Sequence, residues 1–258
     1  MKSIPTTSIL GVRVSAITYA DALHCIEQWI VQGKRHYVCV AAVHLVMECQ
    51  KDERLRRGVN QAGLVTPDGM PLVWLLRLFG YRCVERVYGP TLMEKICRLA
   101  ERHTWRIFLL GGAGGEAQEV AHVLVNKFPE IRIVGTRDTP IRPIPHLENI
   151  TIRNEIEKAS PDIVFVGLGC PWQELWMIDN RKYVRAPVLV GVGAAFDFFS
   201  GRVRQAPRWV QRAGLEWLFR FFQEPKRLWH RYTITNLTFI YHVCKHVLFR
   251  CFRVQTFV

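Results

Sequence analysis

Four groups of side chains in this sequence could do chemistry. The first is Asp68, in "LVTPDGMP" (Leu64 to Pro71), where an apolar run ends in Thr-Pro-Asp-Gly. Asp-Gly is an ordinary turn dipeptide. A strand that stops abruptly at such a turn also delivers a carboxylate to a cleft, so Asp68 is either a turn residue or an acid-base group. The second is Gln173 with Glu174 in "GCPWQELW", after a Gly-x-Pro turn at a helix start. A glutamate there favours the helix dipole in any protein. A glutamine donates and accepts, which suits a sugar hydroxyl or a uracil edge. The third is Asp197, set between phenylalanines in "AAFDFFSG". An acid in apolar company needs a partner, either a structural cation or cap, or a ligand hydroxyl. The fourth is the set Arg202, Arg204, Arg208, Arg212, Arg220, Arg227 and Arg231, since arginine binds diphosphate oxygens bidentately.

Glycines add a fifth kind of chemistry, through the backbone. Gly111-Gly112, Gly167 to Gly169 and Gly191 to Gly193 each follow an apolar run. Such glycines let N–H groups approach a phosphate at the carboxyl edge of a sheet. For any one loop a tight strand-to-helix turn is the simpler reading, but three in one sheet favour a nucleotide site. "GGAGGE" departs from the strict GxGxxG fingerprint, and "GLGCPW" is not a P-loop. No Asp-x-Asp pair and no HExxH spacing occur. The expectation is a site without metal or cofactor, its leaving group held by arginines or a helix dipole.

The elements that must position these groups alternate. Residues 20–32 have helical spacing, and "HYVCVAAV" (36–43) reads as a buried strand. "HLVMECQKDERLRRGVNQA" reads as helix, and "GLVT" (63–66) as a short strand. "PLVWLLRLFG" is a helix opened by Pro71 and closed by Gly80. "WRIFLLGG", "EAQEVAHVLVNKF" and "PEIRIVG" form a βαβ crossover. "TPIRPIPHLEN" is a predicted loop, "ITIRNEIEKAS" a helix, and "PDIVFVGLGCP" and "APVLVGVGAAFDFFSG" are two more strands with glycine exits. The prediction is an α/β fold: a Rossmann-like three-layer core with a mostly parallel sheet over residues 1–200. Residues 201–258 form a separate basic, aromatic-rich helical appendage, broken at Pro207 and Pro225.

The composition supports this division. With 258 residues, 49% of them hydrophobic, the chain can bury a sizeable core. Of the net charge of +13, nine units fall in the last 57 residues, which hold only two acids, Glu216 and Glu224. That asymmetry calls for an anionic partner. Interleaved Trp209, Trp217, Phe221, Phe222, Leu228 and Trp229 suit the interface of an anionic membrane, although a packed subdomain with a solvated basic face fits the composition nearly as well. No RRM, KH or helix-turn-helix signature supports nucleic acid. The eight cysteines lack CxxC spacing and read as reduced thiols of a cytosolic protein. Neither a signal peptide nor a transmembrane helix is expected.

Taken in order, "TPDGMPLVWLLRLFG", "RVYGPTLM", "FLLGGAGG", "VGLGCPWQELW" and "GVGAAFDFFSGRVRQAPRWVQRAGLEWLFRFFQEPKRL" resemble the WecG/TagA/CpsF family of bacterial glycosyltransferases over roughly residues 8–232. The resemblance implies an inverting, metal-independent transferase. It would move a sugar from a UDP-sugar to a polyprenyl-diphosphate-linked saccharide at the inner face of the bacterial membrane, for cell-surface or exopolysaccharide synthesis. It places the general base at Asp68 and a donor contact at Gln173. Arg220 and Arg227 fall on the appendage arginines that hold the diphosphate, with Arg231 beside a slot occupied by His230. Gly111, Gly112, Gly169, Gly193, Glu174 and Asp197 complete the expected donor site.

The chain also departs from that pattern. Where the family segment usually carries Asn, this sequence has Ala42, and an alanine can neither donate nor accept. Either His44 or Thr66 covers that role, or activity is altered. The family's usual Lys before Gln173 is Trp172. Two other classes stay open: a catalytically impaired UDP-sugar-binding or scaffold protein, and, less supported, a Rossmann oxidoreductase. Donor sugar, acceptor linkage and self-association are not legible.

Overall fold

The computed structural model of the chain describes residues 4–207, 209–210, 214–230 and 235–254. It opens on a hairpin, β1 (Thr6–Ile9) and β2 (Val12–Ser15), turned at Leu10 and Gly11, both with positive φ. Four-residue strands are too short to show alternation, so periodicity does not predict this hairpin. The main sheet contains β3 (His36–Ala41), β4 (Leu64–Pro67), β5 (Arg106–Gly111), β6 (Arg132–Arg137), β7 (Ile163–Gly167) and β8 (Val188–Gly191). Their order is β4-β3-β8-β7-β5-β6, and every pairing is parallel.

Helices cover both faces, as a parallel sheet requires. On one side lie α1 (Tyr19–Val31), α5 (Gly89–His103), α6 (Glu116–Lys127) and the short α9 (Ala195–Phe199). On the other lie α2 (Val43–Lys51), α3 (Glu53–Gln61), α4 (Met70–Leu78), α7 (His146–Ala159) and α8 (Trp172–Asn180). Strand residues alternate between the two layers. Val38, Val40, Phe165 and Val190 face the first, and Cys39, Ala41, Val164 and Leu189 the second. Both sets are buried, which is why these strands read as unbroken apolar runs. The three-layer α/β core is therefore the predicted one.

Several predicted boundaries shift, each for a local reason. The strand "HYVCVAAV" ends at Ala41, because Ala42 is already the N-cap of α2. The long helix after it breaks at Asp52, whose carboxylate accepts the Leu55 N–H at 3.0 Å and starts α3. The predicted loop "TPIRPIPHLEN" stops at Pro145, which leaves its last four residues in α7. Asp21 and Thr18 form a capping box at α1.

Past Gly201 the described residues form α10 (Glu216–Gln223), α11 (Pro225–His230) and α12 (Asn236–Val254). They contain no strand, as expected. The buried Phe239 of α12 joins the core cluster on the α2 side. No disulfide links the described cysteines.

Candidate active site

The carboxyl ends of β3, β4, β7 and β8 open into one cleft with two lobes. The larger, about 540 Å³, is lined by Gly169, Gln173, Gly193, Asp197, Glu116 and Arg142, among others. The smaller, about 180 Å³, lies between α4 and the C-terminal helices, against Met70, Trp74, Trp217 and Asn236. Five residues border both lobes: Ala42, His44, Asp68, Tyr88 and Arg220. Asp68 thus stands at the junction. Its backbone N–H donates to the Ala41 carbonyl at 2.8 Å, which extends the β3–β4 ladder by one rung and fixes the turn.

A largely buried charge cluster surrounds Asp68. Arg86 donates through Nε to the Asp68 backbone carbonyl, and its Nη2 lies 3.3 Å from Asp68 Oδ1. The same Nη2 donates to Glu216 Oε2 at 2.8 Å, and Tyr88 donates its hydroxyl to Glu216 Oε1. The Arg86 guanidinium also stacks on the Tyr88 ring, 4.4 Å from its centroid. Burial pushes the Asp68 carboxyl above its usual range; the Arg86 charge opposes this and the Glu216 charge adds to it. A carboxylate held toward its neutral form is a stronger base than a solvated one. Tyr88 is pushed up too, by burial and then by Glu216.

In the large lobe Gln173 is a clamp. Its Oε1 accepts the Gly193 N–H at 2.9 Å, and its Nε2 donates to Glu174 Oε1 at 2.7 Å. It therefore ties the exit of β7 to the exit of β8. Glu116 and Asp197 are electrostatically coupled across this lobe; burial and then Asp197 raise the Glu116 carboxyl. Arg142 faces both acids, and burial lowers its pKa. Paired acids beside a cation suit ribose hydroxyls and a diphosphate.

The structure gathers Asp68, Gly169, Gln173, Gly193, Asp197, Arg220, Ala42 and His44 around one cleft, and it leaves other expected residues outside that lining. Gly111 and Gly112 do not line it. A Cβ on Gly111, whose φ is 136°, would sit 2.5 Å from the Gly167 carbonyl oxygen, so that glycine serves strand packing. A Cβ on Gly112 would strike Glu116. The α6 N-terminus is likewise taken, because Gly115 and Ala117 donate their N–H groups to Asp138. Glu174 is fully buried and supports Gln173 without lining the cleft. Thr66 is fully buried on β4, paired with Val40, and also lies outside the lining. Arg202, one of the arginines offered for a diphosphate, ties back to Glu116, Glu119 and the Ala113 carbonyl.

Of the arginines expected to hold a diphosphate, Arg220 borders both lobes. Its buried Nε has no hydrogen-bond partner among the described residues, and its guanidinium lies 5.3 Å from the Phe198 ring centroid. Arg227 is carried by α11, whereas Arg231, with Arg208 and Arg212, lies outside the described residues. Sequence reasoning missed Arg86, Tyr88, Glu116, Arg142 and Glu216. Two signals were present: the stretch "RVYGP", and the presence of Glu216 as one of only two acids in a basic tail. Among the described residues no cluster of three or more His, Cys, Asp or Glu could hold a metal ion.

A family model described as the glycosyl transferase WecG/TagA/CpsF family matches residues 7–252. An N-acetylglucosaminyldiphosphoundecaprenol N-acetyl-beta-D-mannosaminyltransferase of Bacillus subtilis (strain 168) is 32% identical over 173 residues, 67% of this chain and 65% of that protein. The match thus spans just under two thirds of that relative's length. A protein of the same name from Bacillus spizizenii (strain W23) is 29% identical over 208 residues, 81% of this chain and 79% of its own.

Proposed function

From the premise that the chain belongs to the WecG/TagA/CpsF family of glycosyl transferases, we propose that it moves a sugar from a UDP-sugar to a polyprenyl-diphosphate-linked saccharide, with inversion and without a metal. The single observation that carries this reading is the position of Asp68 at the junction of two lobes. The larger lobe takes the nucleotide sugar, with Gly169, Gln173, Gly193 and Asp197 as its contacts and Arg142 and Glu116 added to them. The smaller takes the acceptor sugar and leads onto Trp74 and Trp217, where a polyprenyl chain meets an apolar wall.

Asp68 accepts the proton of the acceptor hydroxyl while that oxygen attacks the donor C1. The bond from C1 to the diphosphate oxygen breaks, and UDP leaves with the electron pair. Assistance of this kind contributes roughly 10²- to 10⁴-fold in rate. Arg220, joined by Arg227 and Arg231, meets the charge that develops on the diphosphate. The names of the two relatives make N-acetylmannosamine the first donor sugar to try, with N-acetylglucosaminyl-diphosphoundecaprenol as acceptor.

Residues 201–258 act as the part that meets the membrane. Among the described residues no helix is long and apolar enough to cross one. Trp74, Trp209, Trp217, Phe222 and Trp229 are exposed, and basic residues accompany them. The protein is thereby peripheral on the cytoplasmic face, held by aromatic insertion and by ~1 kcal/mol per basic residue near an anionic surface.

Transfer assays with several UDP-sugars, with and without EDTA, test this reading. Wild-type turnover that survives chelation and is lost in Asp68→Asn is expected, and near-normal turnover in that variant removes Asp68 as base. A second reading, a UDP-sugar-binding partner without transfer, draws on Ala42, which puts a methyl group where the junction could hold a polar side chain. UDP binding with no transfer to any lipid-linked acceptor supports it.

A further inference from the structure

One guanidinium nitrogen serves two carboxylates from different parts of the chain. Arg86 Nη2 lies 2.8 Å from Glu216 Oε2 but 3.3 Å from Asp68 Oδ1, so the closer contact belongs to the acid of α10. Glu216 is the first residue of that helix and is 4% exposed. Without Glu216, the Arg86 charge would compensate Asp68 alone, and a fully compensated carboxylate binds a proton weakly. With Glu216 present, Asp68, Arg86 and Glu216 share one largely buried site and together carry one net negative charge, which Arg220 offsets in part. Asp68 then carries more of its own charge and takes up a proton more readily.

We propose that Glu216 is a positioning residue: by occupying Arg86, it makes the seating of α10 a condition for Asp68 to be an effective base. The proposal rests on the reading of Asp68 given above and deepens it. The helix that walls the smaller lobe with Trp217 and Arg220 would then also switch on the base beneath it. Closure and activation become one event, and an open site holding only UDP-sugar does not deprotonate water efficiently.

The charged and titratable groups facing Asp68 are few. Arg86 and Tyr88 come from the segment ahead of α5, Glu216 and Arg220 from α10, Tyr19 from α1 and His44 from α2. The burial-driven rise of the Asp68 carboxyl, increased by Glu216, agrees in direction with the geometry.

The test needs no substrate. Carbon-13 aspartate labelling of the full chain, with the Asp68 carboxyl assigned by its absence in Asp68→Asn, gives its titration midpoint. In E216Q, which removes the charge and keeps one of the two acceptor oxygens, the midpoint should fall by about half a pH unit or more. In E216D, which keeps the charge but retracts it from Arg86, an intermediate fall is expected. An unmoved midpoint in either folded variant overturns the coupling. In transfer assays the acidic limb of kcat should move the same way, with kcat down about 3- to 10-fold and KM little changed. A proportional loss at every pH, with the limb in place, also overturns it. Transfer that survives in Asp68→Asn instead counts against the proposed function itself.

Discussion

Arg86 and Glu216 stand 130 residues apart in the chain and 2.8 Å apart in space. Glu216 and the neighbouring Asp68 need that cation, because two largely buried carboxylates without it repel each other. Arg86→Met should therefore cost ~3 kcal/mol of stability, the scale for removing one partner of a buried ion pair. Urea unfolding at neutral pH measures it. A cost below about 1 kcal/mol, the scale of an exposed pair, would mean the cluster is solvated.

Asp68 should be a liability for folding at neutral pH. Its carboxyl is raised in the folded state. A group with a raised folded pKa adds stability below its unfolded pKa and loses it as pH rises through the folded one. Above the folded pKa that contribution is gone and the largely buried charge is a cost. Asp68→Asn should then gain on the order of 1 kcal/mol at pH 7, with the gain fading below about pH 4. Thermal melts at the two pH values check this; an equal gain at both contradicts it.

Ala42 caps α2 without a side-chain hydrogen bond. Ala42→Asn should stabilise the protein by about 0.5–2 kcal/mol, the usual difference between these residues at an N-cap. An unchanged denaturation midpoint would show that the asparagine turns into the cleft instead.

Two glycines should respond oppositely to alanine. Gly111→Ala drives a methyl into the Gly167 backbone and should abolish soluble folded protein. At Gly193, with φ of 57°, an added Cβ meets nothing within 4 Å, so the cost is about 1 kcal/mol of backbone strain. Yield and melting temperature separate the two, and equal tolerance would contradict the packing role of Gly111.

Trp74, Phe222 and Trp229 are each more than half exposed. Replacing all three by alanine should leave the melting temperature within a degree or two, the effect of a small surface change, and sharply weaken sedimentation with anionic vesicles. Retained vesicle binding would move the membrane contact elsewhere.

Much of this was legible from local pattern. Buried strands on both faces of a parallel sheet write themselves as apolar runs, and Asp68 follows one of them directly. The cleft edge was legible as well, since Gly169 and Gly193 end such runs. What stayed hidden depends on distant pairing. Nothing near Arg86 announces Glu216, and nothing near Gly111 announces that the next strand's Gly167 leaves no room for a side chain. Gly111 and Gly193 look alike in one dimension, and only their neighbours tell a packed strand end from a cleft edge. Glu174 is a related case: a helix-start acid looks exposed in one dimension, and its burial beside Gln173 shows only in the fold.

The smaller lobe has a consequence for the birth of the protein. A ribosome that has finished α9 has already made Asp68, Gln173, Gly193 and Asp197, and every lining residue of the larger lobe except Arg220. Glu216, Trp217, Arg220 and Asn236, which enclose the other lobe, are still to be translated. The larger lobe is thus complete in sequence, apart from Arg220, well before the smaller one has its outer wall. On the proposed function, late synthesis of that wall would delay transfer until the C-terminal helices have also emerged.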